Sequence, residues 1–408
     1  MKKLIALITA SFMTLGMTNT AFAKVIYHNL STDGDLKIEE TTGDTYEVTS
    51  SGETTNCIIV SDGVKTYIIL NGVNISATDK SGIDAKNATV VLELAGENQI
   101  YIDSESKAGI NVSNGELTIK GNGRLEVSTA GDGAGIGSDD GDAFEGKITI
   151  KSGDVTASSG DDGAGIGSGH DGDMSGSVVI SGGTVHALNK GEYGAGIGSG
   201  DYGDMTEGSS IIIKDNSVVK ATSQNDNPAI GLGDDADDEF GEDPFIFNGS
   251  IQILDNASIT ATTNGSNAAI GSCNEESFGT LTISTGSTIN GISGSDLDKL
   301  KEMGILDGIA EVTSVSPKNS NSSFSLERLN IVKRLKAANS GDVVAVSEKQ
   351  LNKGKLPAYV LETLAAADDV TLLISCEEFD ILIKSDEAIA DAGSTQFYTI
   401  DQLVKMYK

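Results

Sequence analysis

The sequence has no tryptophan, and its 408 residues include only 4 prolines and 3 cysteines. Cys57, Cys273 and Cys376 lie far apart, without a C-x-x-C motif, so a disulfide framework is not expected. Only 5% of the residues are aromatic. Without tryptophan, a flat aromatic platform for cellulose is not expected either.

Positive charge is also scarce. The chain has 28 lysines and arginines against 60 aspartates and glutamates, and its formal net charge is −32. Such a surface repels nucleic acids and anionic membranes, so neither is an expected partner. It favours bound cations or a role that needs high solubility. After residue 23, no hydrophobic run is long enough to cross a bilayer.

The first 23 residues have the three parts of a secretory signal peptide. "MKK" supplies the positive charge, "LIALITASFMTLGM" is the apolar stretch, and "AFA" before Lys24 fits a cleavage site with small residues. We therefore expect an exported protein that is secreted, periplasmic or held at the cell surface.

A glycine-rich phrase recurs along the chain. "GAGIG" occurs three times, and the isoleucines of this phrase and its variants are spaced by 25, 27, 26, 30, 31, 33 and 40 residues. These isoleucines are Ile58, Ile83, Ile110, Ile136, Ile166, Ile197, Ile230 and Ile270. A period of this length indicates a solenoid, and residues inserted into single repeats are expected on one edge of it.

A short strand pattern follows most of these isoleucines, and two of its positions are always branched aliphatic. The first column is Leu117, Ile148, Val178, Ile211, Ile251 and Leu281, and the second is Ile119, Ile150, Ile180, Ile213, Ile253 and Ile283. Between them lies a mixed column that includes Thr118 and Thr149. Alternation with period two buries one face of each strand. The sequence therefore predicts an all-β fold, a right-handed parallel β-helix of about eight rungs over residues 56–295, after an N-terminal cap over residues 24–55.

These repeats carry a resemblance. "GAGIGSD…ITIKSGDVTAS" and "GAGIGSG…VVISGGTVHAL" resemble bacterial exported β-helix proteins with GAGIG-type rungs. "YIILNGVNISATDKSGIDAKNATVVLELAGENQI" is similar to the clostridial carbohydrate-binding β-helix family. That family is related in shape to pectate lyases and is associated with calcium. The resemblance implies an exported protein that binds carbohydrate.

The inserted loops are strongly acidic. Residues 132–276 contain 26 acids against 5 lysines. Aligned by their glycines, Asp142, Asp173 and Asp204 form one predicted column, with Asp139, Asp140, Asp171 and Asp201 as neighbours. Stacked carboxylates repel one another unless a cation neutralises them, and hard divalent cations prefer oxygen ligands. We therefore expect these seven aspartates to bind Ca²⁺. The alternative is an acidic edge that is only solvated and that resists aggregation.

No recognisable catalytic set accompanies this scaffold. His170 is a lone histidine in a variable loop, and Arg124 is the one arginine of the repeat region. We expect a non-catalytic protein that binds polysaccharide, including acidic polymers bridged by cations, or other cell-surface components. A polysaccharide lyase or glycoside hydrolase, with Arg124 as base, is the alternative, and a structural or adhesive surface protein is a third. Aromatic residues expected in the loops for sugar stacking are Tyr193, Tyr202, Phe144, Phe240 and Phe278.

The C-terminal region has a different pattern. "SDLDKLKEMGI" predicts a helix that caps the stack, and a linker rich in serine and asparagine follows, so residues 296–317 are expected to be capping helix and linker. Residues 318–408 predict a small α+β domain. Its predicted elements are a helix in "SLERLNIVKRLKAANSG", strands in "DVVAVS", "VTLLIS" and "FDILIK", a helix after Pro357, and a helix whose capping box joins Thr399 to Gln402.

Overall fold

The structure is a computed structural model that describes residues 24–225, 227–233, 246–265, 267–272, 277–307 and 309–315 of the repeat region, together with 331, 334–335, 338, 340, 342–347, 355–376, 380–388 and 397–407. The chain divides into two compact units, residues 1–317 and 318–408. The predicted signal peptide, Cys273, Phe240 and most of the linker lie outside the described residues.

The first unit is a right-handed parallel β-helix with three sheets, as the repeats predict. Sheet A has 11 strands. They are Val25–Asn29, Thr45–Thr49, Lys65–Asn71, Thr89–Ala95, Glu116–Gly121, Lys147–Ile150, Ser177–Ile180, Ser210–Ile213, Ser250–Ile253, Thr280–Ser284 and Glu311–Val315.

Sheet B, with 10 strands, contains the recurring isoleucines. Its strands are Leu36–Ile38, Ile58–Val60, Ile83–Asp84, Ile110–Asn111, Ile136–Gly137, Ile166–Gly167, Ile197–Gly198, Ile230–Gly231, Ile270–Gly271 and Leu306–Asp307. Sheet C has 9 strands. They are Asn74–Ala77, Glu97–Ile102, Arg124–Thr129, Asp154–Ser159, Thr184–Asn189, Val218–Ser223, Ser258–Thr263, Thr288–Ile289 and Ile292–Ser293.

The predicted register of sheet A is confirmed. Ile150 pairs with Ile119 on one side and with Ile180 on the other, and the remaining members of both aliphatic columns follow in order. Every residue of the two columns is at most 1% exposed. No single rung encloses a core, so the interior arises only when neighbouring rungs stack.

The stack is longer than the eight rungs counted from the isoleucines. Residues 24–55, predicted as a cap, instead supply strands Val25–Asn29 and Thr45–Thr49 to sheet A and Leu36–Ile38 to sheet B. A short helix, Leu30–Asp33, lies between them. These first rungs lack the glycine-rich phrase, but Leu36, Ile38 and Val48 still alternate inward, and this alternation is enough to join the core.

The other end of the stack also differs in its boundary. Helix Leu297–Glu302 forms where it was expected, and Leu300 and Ile305 pack into the β-helix core. Beyond it, however, Leu306–Asp307 and Glu311–Val315 continue sheets B and A. The last rungs therefore extend past residue 295.

The second unit has its own apolar core. Val343–Ser347, Thr371–Ser375 and Asp380–Lys384 form one sheet, Lys355–Pro357 pairs with Phe397–Thr399, and the helices are Ala358–Ala365 and Ile400–Tyr407. The predicted capping box is confirmed, because Thr399 N donates to Gln402 Oε1 (2.8 Å) and Gln402 N donates to Thr399 Oγ1 (3.3 Å). Most of the helix predicted in residues 325–341 lies outside the described residues. Among the described residues, no helix is both long and apolar enough to span a membrane.

Candidate functional site

The inserted loops join sheet B to sheet A and stack on one another as the strands do. Phe144 pairs with Met174, which pairs with Met205, which in turn pairs with Phe247. All four side chains are fully buried. They form an internal apolar column that anchors the loops to the core. Phe144 is therefore not the exposed sugar-stacking residue that we expected, whereas Tyr202 and Phe278 are 40% and 62% exposed.

This pairing corrects the predicted aspartate column. Because Phe144 lies opposite Met174, Ala143 and not Asp142 lies at the level of Asp173. Asp142 lies instead beside Gly172. A β-carbon built on Gly172 would lie only 2.3 Å from the carbonyl oxygen of Asp142. Asp173 and Asp204 do share one level. The glycine alignment failed because "GDAFEG" has one residue more between aspartate and glycine than "GDMSG".

Each of the seven predicted aspartates already has a protein partner. The Asp142 carboxylate accepts a bond of 2.6 Å from Lys86 Nζ, and the Asp139 carboxylate accepts one of 2.6 Å from Lys107 Nζ. Asp139 also accepts from the Ala108 amide at 2.8 Å.

The carboxylates of Asp173 and Asp204 accept backbone amides of the following rung. The Asp204 amide donates to Asp173 at 3.1 Å, and the Ile246 amide donates to Asp204 at 2.7 Å. Burial raises the pKa of Asp204, and the charge of Asp173 adds to this effect. Lysines thus offset the charges of Asp142 and Asp139, whereas Asp173 and Asp204, among the described residues, accept only backbone amides.

A second cluster of ligand-type side chains forms around His170. Its Nδ1 lies 3.0 Å from Asp140 Oδ1 and 3.8 Å from the carboxylate of exposed Asp171. The ring of Tyr202 meets the imidazole edge-on, with centroids 5.5 Å apart. His170 occupies the loop position that Asp140 and Asp201 occupy in the adjacent rungs, because the amides of His170 and Asp201 bond to equivalent carbonyls one rung earlier.

Two aspartates that we did not predict complete this cluster. Asp132 and Asp162 precede successive "GAGIG" phrases, and the Asp162 amide donates to Asp132 Oδ1 at 3.3 Å. Ligand atoms of Asp132, Asp140 and His170 lie within 4.8 Å of one another, and so do those of Asp162, His170 and Asp201. The sequence could have indicated these two aspartates, because "GDGAGIG" and "DDGAGIG" have an aspartate at the same position of two successive repeats.

The electrostatics of this cluster reflect crowded acids around one base. Burial raises the pKa of Asp132 and of Asp162, and the nearby Asp161 carboxylate adds to both shifts. Burial works against the charged form of His170, but the hydrogen bond to Asp140 and the surrounding carboxylates outweigh it, so its pKa is raised.

A polar groove lies on the outer face of sheet C. The residues that line it, between 72 and 126, precede the acidic loops in the sequence. The groove has a volume of about 260 Å³. Its lining includes Asn74, Glu97, Gln99, Arg124 and Glu126. Asn74, Gln99 and Glu126 lie side by side in three successive strands, and Glu97 lies beside Arg124.

The buried side-chain amide of Asn98 hydrogen-bonds to the strands that line the groove. Asn98 Oδ1 accepts from the Val73 amide at 3.0 Å, and its Nδ2 donates to the Arg124 carbonyl at 3.0 Å. These bonds join three rungs at the corner that carries the groove. Arg124 points outward and pairs with Glu126 at 3.2 Å.

The comparisons with known proteins support the fold. A family model described as beta helix repeat matches residues 148–170 and 178–201. These two segments lie in the rungs that carry Ile150, Ile180 and His170. A search of curated proteins and a search of solved structures each returned no match.

Proposed function

We propose that this protein is an exported, non-catalytic carbohydrate-binding β-helix that contacts a polysaccharide or another cell-surface glycan. The groove on sheet C carries the proposal. Amide and carboxylate side chains on neighbouring strands, about 4.8 Å apart, offer a regular row of donors and acceptors for sugar hydroxyls. The resemblance to exported GAGIG-repeat and clostridial carbohydrate-binding β-helix proteins supports the same class of ligand. The pattern of residues 1–23 supports export.

The geometry of Arg124 favours binding over lyase chemistry. A lyase base must be unprotonated when it removes a proton from the substrate. The Arg124 guanidinium lies 3.2 Å from the Glu126 carboxylate and donates to it, so it acts here as a hydrogen-bond donor and not as a proton acceptor. In this position it can donate hydrogen bonds to sugar hydroxyls or to a uronate carboxylate.

The proposal includes a divalent cation at the acidic loop edge. Residues 132–276 carry a large excess of acids, and a bound cation would relieve their repulsion. Calcium is the ion that the resemblance implies. Calcium should then raise the melting temperature more than sodium of equal ionic strength does, because it binds the folded state alone. Equal shifts from the two salts would remove calcium from the proposal.

A glycan array probed with the chain that begins at Lys24, with calcium and with chelator, tests the function. We expect binding to a defined polysaccharide. The variants Gln99→Ala and Glu126→Ala should weaken it, whereas Thr156→Ala, one strand further along sheet C beside Glu126, should not. If Thr156→Ala weakens binding as much as the groove variants do, the groove is not the site.

The catalytic alternative has its own measurement. The purified chain should release no unsaturated uronides from pectate and no reducing ends from cellulose or chitin. Steady release that disappears in Arg124→Lys would replace the binding proposal with a lyase.

A further inference from the structure

We infer that His170, Asp162 and Asp201 bind a divalent transition-metal ion, with Zn²⁺ as the expected ion, and that Asp140 and Asp132 support this site from the preceding turn. The inference deepens the proposed cation binding and rests on that part of the proposed function. It moves the site from the predicted aspartate column to the cluster around His170, and it changes the class of ion.

The geometry supplies enough ligands in a small volume. Each of the two sets that share His170 has its ligand atoms within 4.8 Å of one another. Ligands about 2 Å from one ion must lie within roughly twice that distance of each other, so small side-chain rotations suffice. Asp201 is only 2% exposed, and Asp162 and Asp132 are partly buried, which limits competition from water.

A separate observation indicates a missing partner. Asp162 Oδ1 is buried and accepts no hydrogen bond from any of the residues that the structure describes. A buried carboxylate oxygen without a donor costs free energy, and native proteins rarely leave one in this state. A cation held between Asp162, His170 and Asp201 would satisfy that oxygen.

The imidazole decides the class of ion. Nδ1 of His170 faces Asp140, so in the neutral ring Nδ1 donates to that carboxylate and the lone pair lies on Nε2. A carboxylate behind the imidazole is the usual support of a metal-bound histidine. Calcium and magnesium take oxygen ligands, whereas imidazole suits zinc and its neighbours. A mixed nitrogen and oxygen set therefore favours Zn²⁺ over Ca²⁺.

The repeat itself provides the matched variants. His170→Gln removes the metal ligand, and His170→Asp installs the residue found at this position in both adjacent rungs. Asp162→Asn removes the unpartnered oxygen's charge. Asp171→Asn is the control, because it removes the same charge beside His170 at an exposed position whose φ of 55° asparagine adopts readily.

Calorimetric titration of the full chain with Zn²⁺ and with Ca²⁺, together with imidazole carbon–proton NMR spectra, tests the inference. Zn²⁺ should bind more tightly than Ca²⁺ and should shift the resonances of His170 and not those of His28 or His186. His170→Gln and Asp162→Asn should weaken Zn²⁺ binding about 100-fold or more. Mutation of residues that only hydrogen-bond to metal ligands already lowers metal affinity by about 10–100-fold, and these two residues are ligands themselves. Asp171→Asn should change it by less than about threefold, and His170→Asp should shift the preference toward Ca²⁺.

Several outcomes would overturn the site. One is unchanged Zn²⁺ affinity in His170→Gln, provided that its circular dichroism and melting match the parent. If Ca²⁺ binds and Zn²⁺ does not, the inference fails while the proposed cation-binding edge stands. If neither ion binds, both fail, and the glycan array still judges the groove independently.

Discussion

A β-carbon added to Gly167 would lie 1.8 Å from the carbonyl oxygen of Gly198 in the next rung. The same contact recurs between Gly137 and Gly167, at 1.7 Å. The second glycine of each "GIG" phrase thus lets the backbone of sheet B turn while adjacent rungs remain at strand spacing. This explains why the phrase repeats so strictly.

Gly167→Ala should therefore destabilise the β-helix by about 3 kcal/mol, because the new methyl group must push backbone atoms of two rungs apart and φ is +144°. Gly141→Asn is the control. Gly141 has φ +72° and open space around it. The equivalent positions in the next two rungs are Asp171 and Tyr202, which also have positive φ. Chemical denaturation should show little change for Gly141→Asn, and equal losses in both variants would contradict the role of the glycine column.

Ile150→Asp should cost at least about 4 kcal/mol, because it places an unpaired charge between Ile119 and Ile180 in the core. Thr149→Asp, one residue away on the outer face, should cost less than about 1 kcal/mol. Urea unfolding followed by circular dichroism compares the two. Equal damage at both positions would contradict the register of sheet A.

Phe144→Ala should cost about 3–4 kcal/mol by leaving a cavity beside Met174. Phe278→Ala makes the same chemical change at a side chain that is 62% exposed, and it should cost less than about 1 kcal/mol. Melting temperatures of the two variants test whether the acidic loops are anchored by this apolar column. Similar values for both would argue against such an anchor.

Asp35→Asn should weaken the first rungs at neutral pH by about 1 kcal/mol, a value reduced for partial exposure. Burial tends to raise the pKa of Asp35, but Lys80 and the Cys57 amide outweigh it and leave the pKa lowered. Lys80 Nζ lies 2.7 Å from the carboxylate, and the Cys57 amide lies 2.8 Å from it.

A lowered pKa stabilises the fold above the ordinary carboxyl pKa, and this stability disappears as the pH falls through the folded value. The deficit of Asp35→Asn relative to the parent should therefore shrink below about pH 4. Unfolding free energies measured from pH 7 to pH 3 test this expectation. A deficit that grows on acidification would reverse the assigned sign.

Cys57 should resist alkylation in the native protein. Burial raises its pKa to about 11, so roughly one thiol in a thousand is ionised at pH 8, and the side chain is fully buried. Mass-spectrometric mapping after brief alkylation should find Cys57 unmodified in native protein and modified in urea. Rapid native labelling would mean that the first rungs open readily.

The repeats determined the fold of this chain. Backbone pairing between rungs requires only that equivalent residues recur, so the alignment of Ile119, Ile150 and Ile180 follows directly from the spacing. The capping box at Thr399 was readable for a similar reason, because it is a contact between residues three apart. The first rungs were missed, because Leu36 and Val48 keep the inward alternation without the glycine-rich phrase.

The site depended on tertiary structure. One inserted residue before Phe144 moved Asp142 out of the predicted column, and only the burial of that ring against Met174 fixed the loop register. Lys86 and Lys107 come from earlier rungs and neutralise Asp142 and Asp139, a pairing across 56 and 32 residues that no local pattern encodes. His170 looked isolated in sequence, yet stacking surrounds it with Asp132 and Asp140 from the preceding turn and Asp201 from the following one, beside Asp162 of its own turn. Stacking brings residues about thirty positions apart to strand spacing, and each loop's own packing then decides which of them meet.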